Sequence, residues 1–478
     1  MKFVSKWDSI PQTVKISIAF TICSILQRCL SFITLPLFTR LLTPTQYGQF
    51  TIYSSWTGIL SLLLTLNLAY GSFSTAMVKY EDRRDEYISS IQGICLVLTA
   101  LFLMIYLPLR KYFNALFELP TFLVLVMVLE VLGTTSIQLW SGKKRFEFKY
   151  KSVVAQVLLV SLLSPILAYI LVCSTEEKGY ARILGYSAVT ILIGGFLFSL
   201  NLIRGKKLYC REFWKYAFGF NIPLLAYYLS QTIFNQSDRI MISHISGTDK
   251  AAMYGVAYNL AMMLTFVLNA INTSYVPWFY GKIKEHKQKE NQVISLLLAG
   301  MMALLLLAVI WYAPEIILIM AGNQYQEAIW AVAPVSMSLL LLFYAQFFIN
   351  VEFYYEEKKM LVYGSVGAAL LNIALNAWLI PIFGFVAAGY TTLASYIVFA
   401  LSNCYAMRVV LKKRGVPDKL YNYRGLFWLF AGFTASGFLG MALYSWLAIR
   451  IVITLLVLGI LICCRKPILD ALGSIKKQ

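Results

Sequence analysis

Acidic side chains are scarce in this chain: 22 Asp and Glu stand against 41 Lys and Arg in 478 residues, a formal charge of +19. Histidine occurs only twice, at His244 and His286, too far apart in sequence to suggest a histidine-based metal site. The eight cysteines form no CxxC pair or metal spacing. Most (Cys23, Cys29, Cys95, Cys173, Cys404) sit in apolar stretches and read as small apolar residues. No GxxxxGK[ST] phosphate loop is present, and no polar stretch is long enough to form a domain that could house one. ATP hydrolysis by the chain is therefore excluded. No loop carries a nucleophile–base constellation, so no catalytic residue, metal or cofactor is expected. No signal-peptide cleavage pattern precedes the first apolar stretch, and residue 1 is read as the mature start.

What the chain has instead is lipid-soluble sequence. It is 59% hydrophobic and 13% charged, with mean hydropathy +0.70, outside the range of soluble domains. Fourteen apolar stretches lie between Val14 and Cys464, each near the roughly 20 residues needed to cross a hydrocarbon core about 30 Å thick. Only helices satisfy their own backbone in lipid at that length. The predicted class is an all-α polytopic membrane protein with spans at about 14–37, 49–75, 89–109, 119–141, 152–173, 182–203, 217–243, 252–279, 292–312, 327–354, 361–380, 385–407, 425–444 and 449–464.

The basic residues report orientation. Alternate loops and the two ends hold 32 of the 41 Lys and Arg, in groups such as Lys143-Lys144-Arg145, Arg204–Lys215 and Arg408–Arg424. The opposite side holds seven: Arg40, Arg110, Lys111, Lys178, Arg182, Lys250 and Arg450. The remaining two, Arg28 and Arg239, fall within spans. This asymmetry places both termini in the cytoplasm. The longest external loop, about 313–326, contains no basic residue. The positive charge is thus mainly a topology signal with some attraction for anionic lipid, and no nucleic-acid partner is needed to explain it.

A weak repeat is visible. Leu41-Leu42-Thr43-Pro44-Thr45-Gln46-Tyr47-Gly48 follows span 1, and Ile245-Ser246-Gly247-Thr248 through Met253-Tyr254-Gly255 follows span 7. Both are external turns with a Thr, then Tyr-Gly opening the next helix, six helices apart. An even number of helices per unit gives two lobes inserted the same way round. The expected division is an N-lobe at 1–203, a cytoplasmic linker at 204–216, a C-lobe at 217–407, and two appended helices with a tail at 408–478.

At these positions the sequence resembles a known family. Pro36-Leu37-Phe38-Thr39-Arg40-Leu41-Leu42-Thr43-Pro44-Thr45-Gln46-Tyr47-Gly48 is similar to the first-helix exit of bacterial oligosaccharide flippases. These are polysaccharide transporters of the multidrug/oligosaccharidyl-lipid/polysaccharide (MOP) exporter superfamily. Asn221-Ile222-Pro223-Leu224, Ser237-Asp238-Arg239-Ile240-Met241-Ile242 and Ala252-Met253-Tyr254-Gly255 resemble the opening of that family's second lobe. The resemblance implies two six-helix lobes around a central cavity in the bacterial inner membrane. It implies alternating-access transport of oligosaccharide linked to an undecaprenyl pyrophosphate carrier, for O-antigen, capsule or exopolysaccharide. A monomer in contact with membrane lipids is expected, with polysaccharide assembly proteins as further candidate partners. Alternatives are a peptidoglycan-precursor flippase, a cation-coupled multidrug exporter of the same superfamily, and a membrane polymerase or ligase, which would need a larger external loop.

The polar residues inside the spans are the candidate site. Ser17, Thr21, Ser24, Arg28 and Ser31 follow spacings of 4, 3, 4 and 3, one face of span 1. Arg28 lies roughly 21 Å into that span at 1.5 Å per residue. A charge at such depth costs about 2.5–3.5 kcal/mol on insertion scales, which calls for a partner or a wet cavity. Either Arg28 meets an anionic pyrophosphate or sugar, or it pairs with a carboxylate for packing. Glu130, in span 4, is the natural partner; it could equally be an ion-coupling group or an inert protonated acid. In span 7, Asn235 and Asp238 share a face with Gln231, and Arg239 shares the next with Thr232 and Gln236. Arg239 is read either as a cavity cation, with Asp238 a second coupling candidate, or as an interfacial snorkelling residue. Asn269 and Asn272 in span 8, and Asn372 and Asn376 in span 11, could bond sugar hydroxyls or glue helices together. Glu352, at the cytoplasmic end of span 10, is expected to be solvated.

Overall fold

A computed structural model describes residues 23, 26, 27, 30, 32–285, 288–357 and 359–463. Every described element is helical; among these residues there is no strand. Each of the fourteen predicted spans coincides with helix, the first only at its described end. Among the described residues ten helices are long and apolar enough to cross a membrane.

The described residues form two compact units, 1–252 and 253–478. The first holds α1 (Phe32–Leu41), α2 (Pro44–Thr65), α3 (Phe73–Lys79), α4 (Arg84–Tyr106), α5 (Arg110–Phe117), α6 (Thr121–Phe146), α7 (Tyr150–Ser174), α8 (Lys178–Gly205) and α9 (Arg211–Ser246). The start of α2 explains the Thr-Pro-Thr-Gln segment. Thr43 caps the helix and accepts from the Gln46 amide at 3.3 Å, while Gln46 Oε1 accepts from the Thr43 amide at 3.1 Å. Pro44 fills the first turn, where a missing N–H costs nothing. Span 2 is shorter than the 49–75 predicted from apolarity, because Leu66 and Asn67 turn left-handed (φ 48° and 56°) and stop α2 at Thr65.

Small residues set the packing of this unit. A Cβ on Gly194 would sit 2.3 Å from the Gly133 Cα, so α6 and α8 touch backbone to backbone. Gly185 meets the Ala168 backbone in the same way and seats α8 against α7. Lipid tails give no hydrophobic drive for helix association, and close approach of this kind supplies dispersion contact in its place. The outer side of α7 leaves Leu162, Ile166 and Ile170 exposed, a face suited to hydrocarbon. The helix α9, assigned to the second lobe on sequence grounds, packs here along α2, with Gln236 against Gly58.

The second unit contains most of α10 (Thr248–Met262), then α11 (Thr265–Lys284), α12 (Gln288–Trp311), α13 (Ala313–Met320), α14 (Ile329–Tyr354), α15 (Lys359–Phe383), α16 (Val386–Lys413), α17 (Tyr423–Ala442) and α18 (Leu447–Cys463). Span 8, predicted as one helix, is two, α10 and α11, with the break at 263–264. The axis of the unit is α14. It is apolar on all sides and buried nearly throughout, which marks a helix enclosed by others. Pro334 on it packs onto Gly389 of α16, and Phe343 and Phe347 reach the aromatic cluster of Tyr275, Phe279 and Tyr421. At the opposite end from that cluster, Arg450 is 1% exposed and donates to both oxygens of Glu315, at 2.8 and 2.6 Å, and to the Trp311 and Tyr444 carbonyls. Read as a loop cation in the sequence, it is a buried pin joining α13 to the last helix.

Candidate functional site

A second polar stripe, on α6, builds a hydrophilic hollow in the first unit. Thr134, Gln138, Ser141 and Arg145 follow spacings of 4, 3 and 4 and line one wall of a cavity of about 470 Å³. Gln27 from the first span and Gln156 from α7 complete the polar lining, with Phe73 and Val160 among the apolar parts. Ser141 donates to Gln156 Oε1 at 3.0 Å, which orients the amide NH₂ group, and Gln27 Nε2 donates to Ser161 at 3.1 Å. Gly142 lets the Phe73 ring approach α6; a Cβ there would lie 2.4 Å from the ring. The described lining contains a guanidinium, amides and hydroxyls and no carboxylate. Such a set donates hydrogen bonds to anions and to sugar hydroxyls.

The C-terminal end of α6 is fixed by charge. Glu147 accepts from Lys144 at 2.7 Å and lies 3.1 Å from Lys143 and 3.2 Å from Lys149. Lys143 also pairs with Asp85 on α4. Burial alone would raise the Glu147 carboxyl, but the bonds from Lys144, Lys143 and Lys149 outweigh it and hold it at about 2. Arg145 sits within this run, next to Lys144 and two residues before Glu147, so the knot adjoins the cleft. Alongside it, Lys207 and Arg83 both bind Glu86, at 3.0 Å each.

The residues singled out in the sequence fall in several places. Arg28, Ser24 and Ser31 lie outside the described residues. Glu130 is half-buried, and its Oε2 accepts from Tyr53 and from Ser187, both at 2.6 Å. This ties α6 to α2 and α8; among the described residues no cation contacts it. On α9, Asp238 is buried, Asn235 donates to the Gln231 carbonyl at 2.8 Å, and Arg239 donates to Gln236 at 3.1 Å. In the second unit Asn272 accepts from Asn350 at 2.8 Å, while the Asn269 side chain is exposed and its carbonyl takes the Thr273 hydroxyl. Asn376 donates to Asn372 and Asn372 to Thr392, each at 3.2 Å, so these amides bond across α15 and α16. The solvated Glu352 of the sequence reading is corrected. It is 1% exposed, and neither carboxylate oxygen has a hydrogen-bond partner among the described residues. The reason is the enclosure of α14, which keeps even its last turns inside the unit.

Two features went unread. The α6 stripe has the same spacing that revealed the span 1 stripe, but Arg145 ends a Lys-Lys-Arg run and was absorbed into the topology signal. Arg182, counted as an external loop charge, is 5% exposed inside a box of rings. Its guanidinium carbon lies 3.8 Å from the centre of Phe50, 4.4 Å from Tyr47 and 4.6 Å from Phe38.

Comparison with known proteins gives the family. The family model described as polysaccharide biosynthesis protein matches residues 14–281, more than half of the chain. The chain belongs to that family. A second model, MatE, matches residues 223–378 of this polysaccharide biosynthesis family member. The chain is 27% identical over 171 residues to the Lsg locus putative protein 1 of Haemophilus influenzae, covering 33% of its own length and 40% of that relative. It is 21% identical over 387 residues to an uncharacterized membrane protein of the same organism, covering 77% of itself and 90% of that protein. In fold it is similar to the lipid II flippase MurJ in an inward closed conformation, with TM-score 0.64, 15% identity, and coverage of 94% of this chain and 100% of that one. It is also similar to an inward-facing multidrug resistance MATE family transporter of the MOP superfamily, with TM-score 0.59, 14% identity, and coverage of 83% and 99%. The polysaccharide biosynthesis family member is therefore a multi-pass membrane protein, and its fold is the one shared by the MurJ and MATE structures.

Proposed function

We propose that this family member moves oligosaccharide linked to undecaprenyl pyrophosphate from the cytoplasmic to the outer leaflet of the bacterial inner membrane, by alternating access. The observation that carries the reading is the α6 cleft: it offers Arg145, amides and hydroxyls and no described carboxylate. A pyrophosphate needs charge-assisted donors, and a sugar needs neutral hydrogen-bonding groups. An exporter of cationic drugs would instead need a carboxylate to pair with its cargo; the described lining has rings, Tyr70, Phe73 and Phe146, and a cation of its own at Arg145. The reading includes both termini in the cytoplasm, lobes at 1–203 and 217–407, and substrate contacts from Arg28, Ser24 and Ser31. It places Asn235, Asp238, Arg239, Asn269 and Asn272 as later contacts, with Glu130 and Asp238 as coupling candidates. Bound anion neutralises the cation it meets, which lowers the cost of enclosing either charge alone and favours the state change.

The test is a fluorescent lipid-linked oligosaccharide in sealed vesicles with the purified protein and no ATP. Wild type should equilibrate the lipid between leaflets. Loss of a charge-assisted bond is worth about 1.5–3 kcal/mol, so Arg145→Ala and Arg28→Ala should each slow flipping about tenfold or more, and Arg145→Lys less. Wild-type rates in both alanine variants, or transport of a cationic dye in preference to the lipid-linked sugar, would overturn the reading.

A further inference from the structure

The end of α9 carries a cluster that the transport reading does not use. His244 Nδ1 lies 3.2 Å from Glu118 Oε1, and His244 Nε2 lies 2.9 Å from the Leu116 carbonyl oxygen. The other Glu118 oxygen accepts the Ser243 hydroxyl, whose oxygen is in turn 3.4 Å from that of Thr248. A carbonyl oxygen only accepts, and so does an ionised carboxylate. An imidazole held between two acceptors needs a hydrogen on both nitrogens, whereas the neutral ring has one. The pair as built therefore contains one proton more than a neutral histidine beside an ionised glutamate. That proton can sit on the ring or on Glu118 Oε1, and the count is the same in either place.

A second observation concerns the backbone. Glu118 ends α5 in the left-handed region, φ 54°, a position usually taken by glycine or asparagine. A longer side chain there costs about 1–2 kcal/mol. Such strain persists where the surroundings hold the side chain, as His244 and Ser243 do here. A third concerns the turn that the cluster grips. Gly247 (φ 101°) separates α9 from α10, and the Thr248 carbonyl oxygen lies 2.1 Å from where a Cβ on Gly48 would be. The α9–α10 turn is thus wedged against α2 by backbone packing on one side and tied to the α5–α6 turn by the cluster on the other. Shortly beyond it, after Ala252, the first compact unit ends.

We propose that His244 and Glu118 form a proton-binding site whose occupancy clamps the α9–α10 turn to the α5–α6 turn. Their side chains are 35% and 30% exposed, so the site can exchange with water. Removing the proton leaves lone pairs facing each other at one of the two ring contacts, Nδ1–Glu118 Oε1 or Nε2–Leu116 carbonyl, and since both hold α9 to the α5–α6 turn the clamp opens. Among the described residues Glu118 is the charged group in contact with His244. The other Asp, Glu, Lys and Arg nearest in sequence on the adjoining elements are Arg110 and Lys111 on α5, Asp238 and Arg239 on α9, Asp249 and Lys250 on α10, and Glu130 on α6; α2 has none of these and carries only the phenols Tyr47 and Tyr53, as α5 carries Tyr112. The site shares no residue with the α6 cleft, and its ligand is a proton, so it stands or falls apart from the flippase reading.

The test uses the full chain in detergent and needs no transport. The chain has two histidines, and His244→Gln assigns the imidazole signals. Hydrogen exchange of residues 243–250 is then followed between about pH 5 and 8, the range over which histidines change charge, with the intrinsic pH dependence of exchange removed. In wild type, exchange of this segment should rise about tenfold beyond the intrinsic effect as the His244 ring loses its proton. That excess should vanish in His244→Gln and in Glu118→Gln. If a variant fails to fold, the wild-type measurement decides alone. A His244 ring that is neutral while the segment stays protected, or a ring that titrates with no excess exchange, overturns the proposal.

Discussion

Replacing Glu147 by Gln isolates the charge knot at the end of α6. Lys143 and Lys144 are 7% and 9% exposed in their side chains, and Glu147 is 18% exposed. The carboxyl stands at about 2 against an ordinary 4.5, which corresponds to about 3 kcal/mol at 1.36 kcal/mol per pH unit. The measured loss should be smaller, about 1–2 kcal/mol, because the amide still offers one acceptor and lysine heads can swing toward water. The sign follows from the direction of the change. The folded carboxyl is depressed, so its contribution is complete above the unfolded value near 4.5 and disappears as the pH falls from there to about 2. Chemical unfolding in detergent, followed by tryptophan fluorescence, should therefore separate wild type from Glu147→Gln fully at about pH 7 and hardly at all near pH 2. Equal stability at neutral pH, or a gap that ignores pH, would refute the reasoning. Because Arg145 is two residues away, the variant should also slow lipid flipping, by less than Arg145→Ala does.

Removing Arg450 leaves Glu315 partly buried without its cation, and Arg450→Met should cost about 3–5 kcal/mol in the same assay, with Arg450→Met/Glu315→Gln recovering part of it. Bonding to Arg450 lowers the Glu315 carboxyl, so this contribution too should fade below about pH 4.5. Tyr53→Phe removes one of two hydroxyls on Glu130 and should destabilise by about 1 kcal/mol in thermal unfolding, while Ser187→Ala in the same background should cost more than it does alone. Gly185→Val would drive a side chain into the Ala168 backbone; loss of about 1–3 kcal/mol, read as lower Tm and yield, is expected.

The all-helical membrane class was legible because hydropathy over about 20 residues integrates many weak preferences; the helix count was not, since span 8 is two helices and ten of the described helices are long and apolar enough to cross a membrane. Boundaries were less so: apolar residues run on through Leu66–Leu68, and only the left-handed turn there ends α2. Charges were the weakest part of the reading. A Lys or Arg at a span end looks the same in sequence whether it faces water, as Lys149 largely does, or is enclosed, as Arg182 and Arg450 are. Their partners come from elements far along the chain, so local pattern does not reveal them. Arg145 is the instructive case, because its stripe of Thr134, Gln138 and Ser141 was present in the sequence and only the adjacent lysines hid it. Glu352 failed for the opposite reason: nothing local announces that an entire helix will be wrapped by its neighbours.

The Arg450 pin also has a consequence for the order of synthesis. Glu315 leaves the ribosome 135 residues before its partner. At about 5–20 residues per second, it waits roughly ten seconds or more with its charge uncompensated beside the last apolar hairpin. Until α18 arrives, that end of the second unit is unfinished. A chain truncated after α17 would leave the Glu315 carboxylate without the guanidinium that binds both its oxygens, so α18 is what completes that end of the second unit.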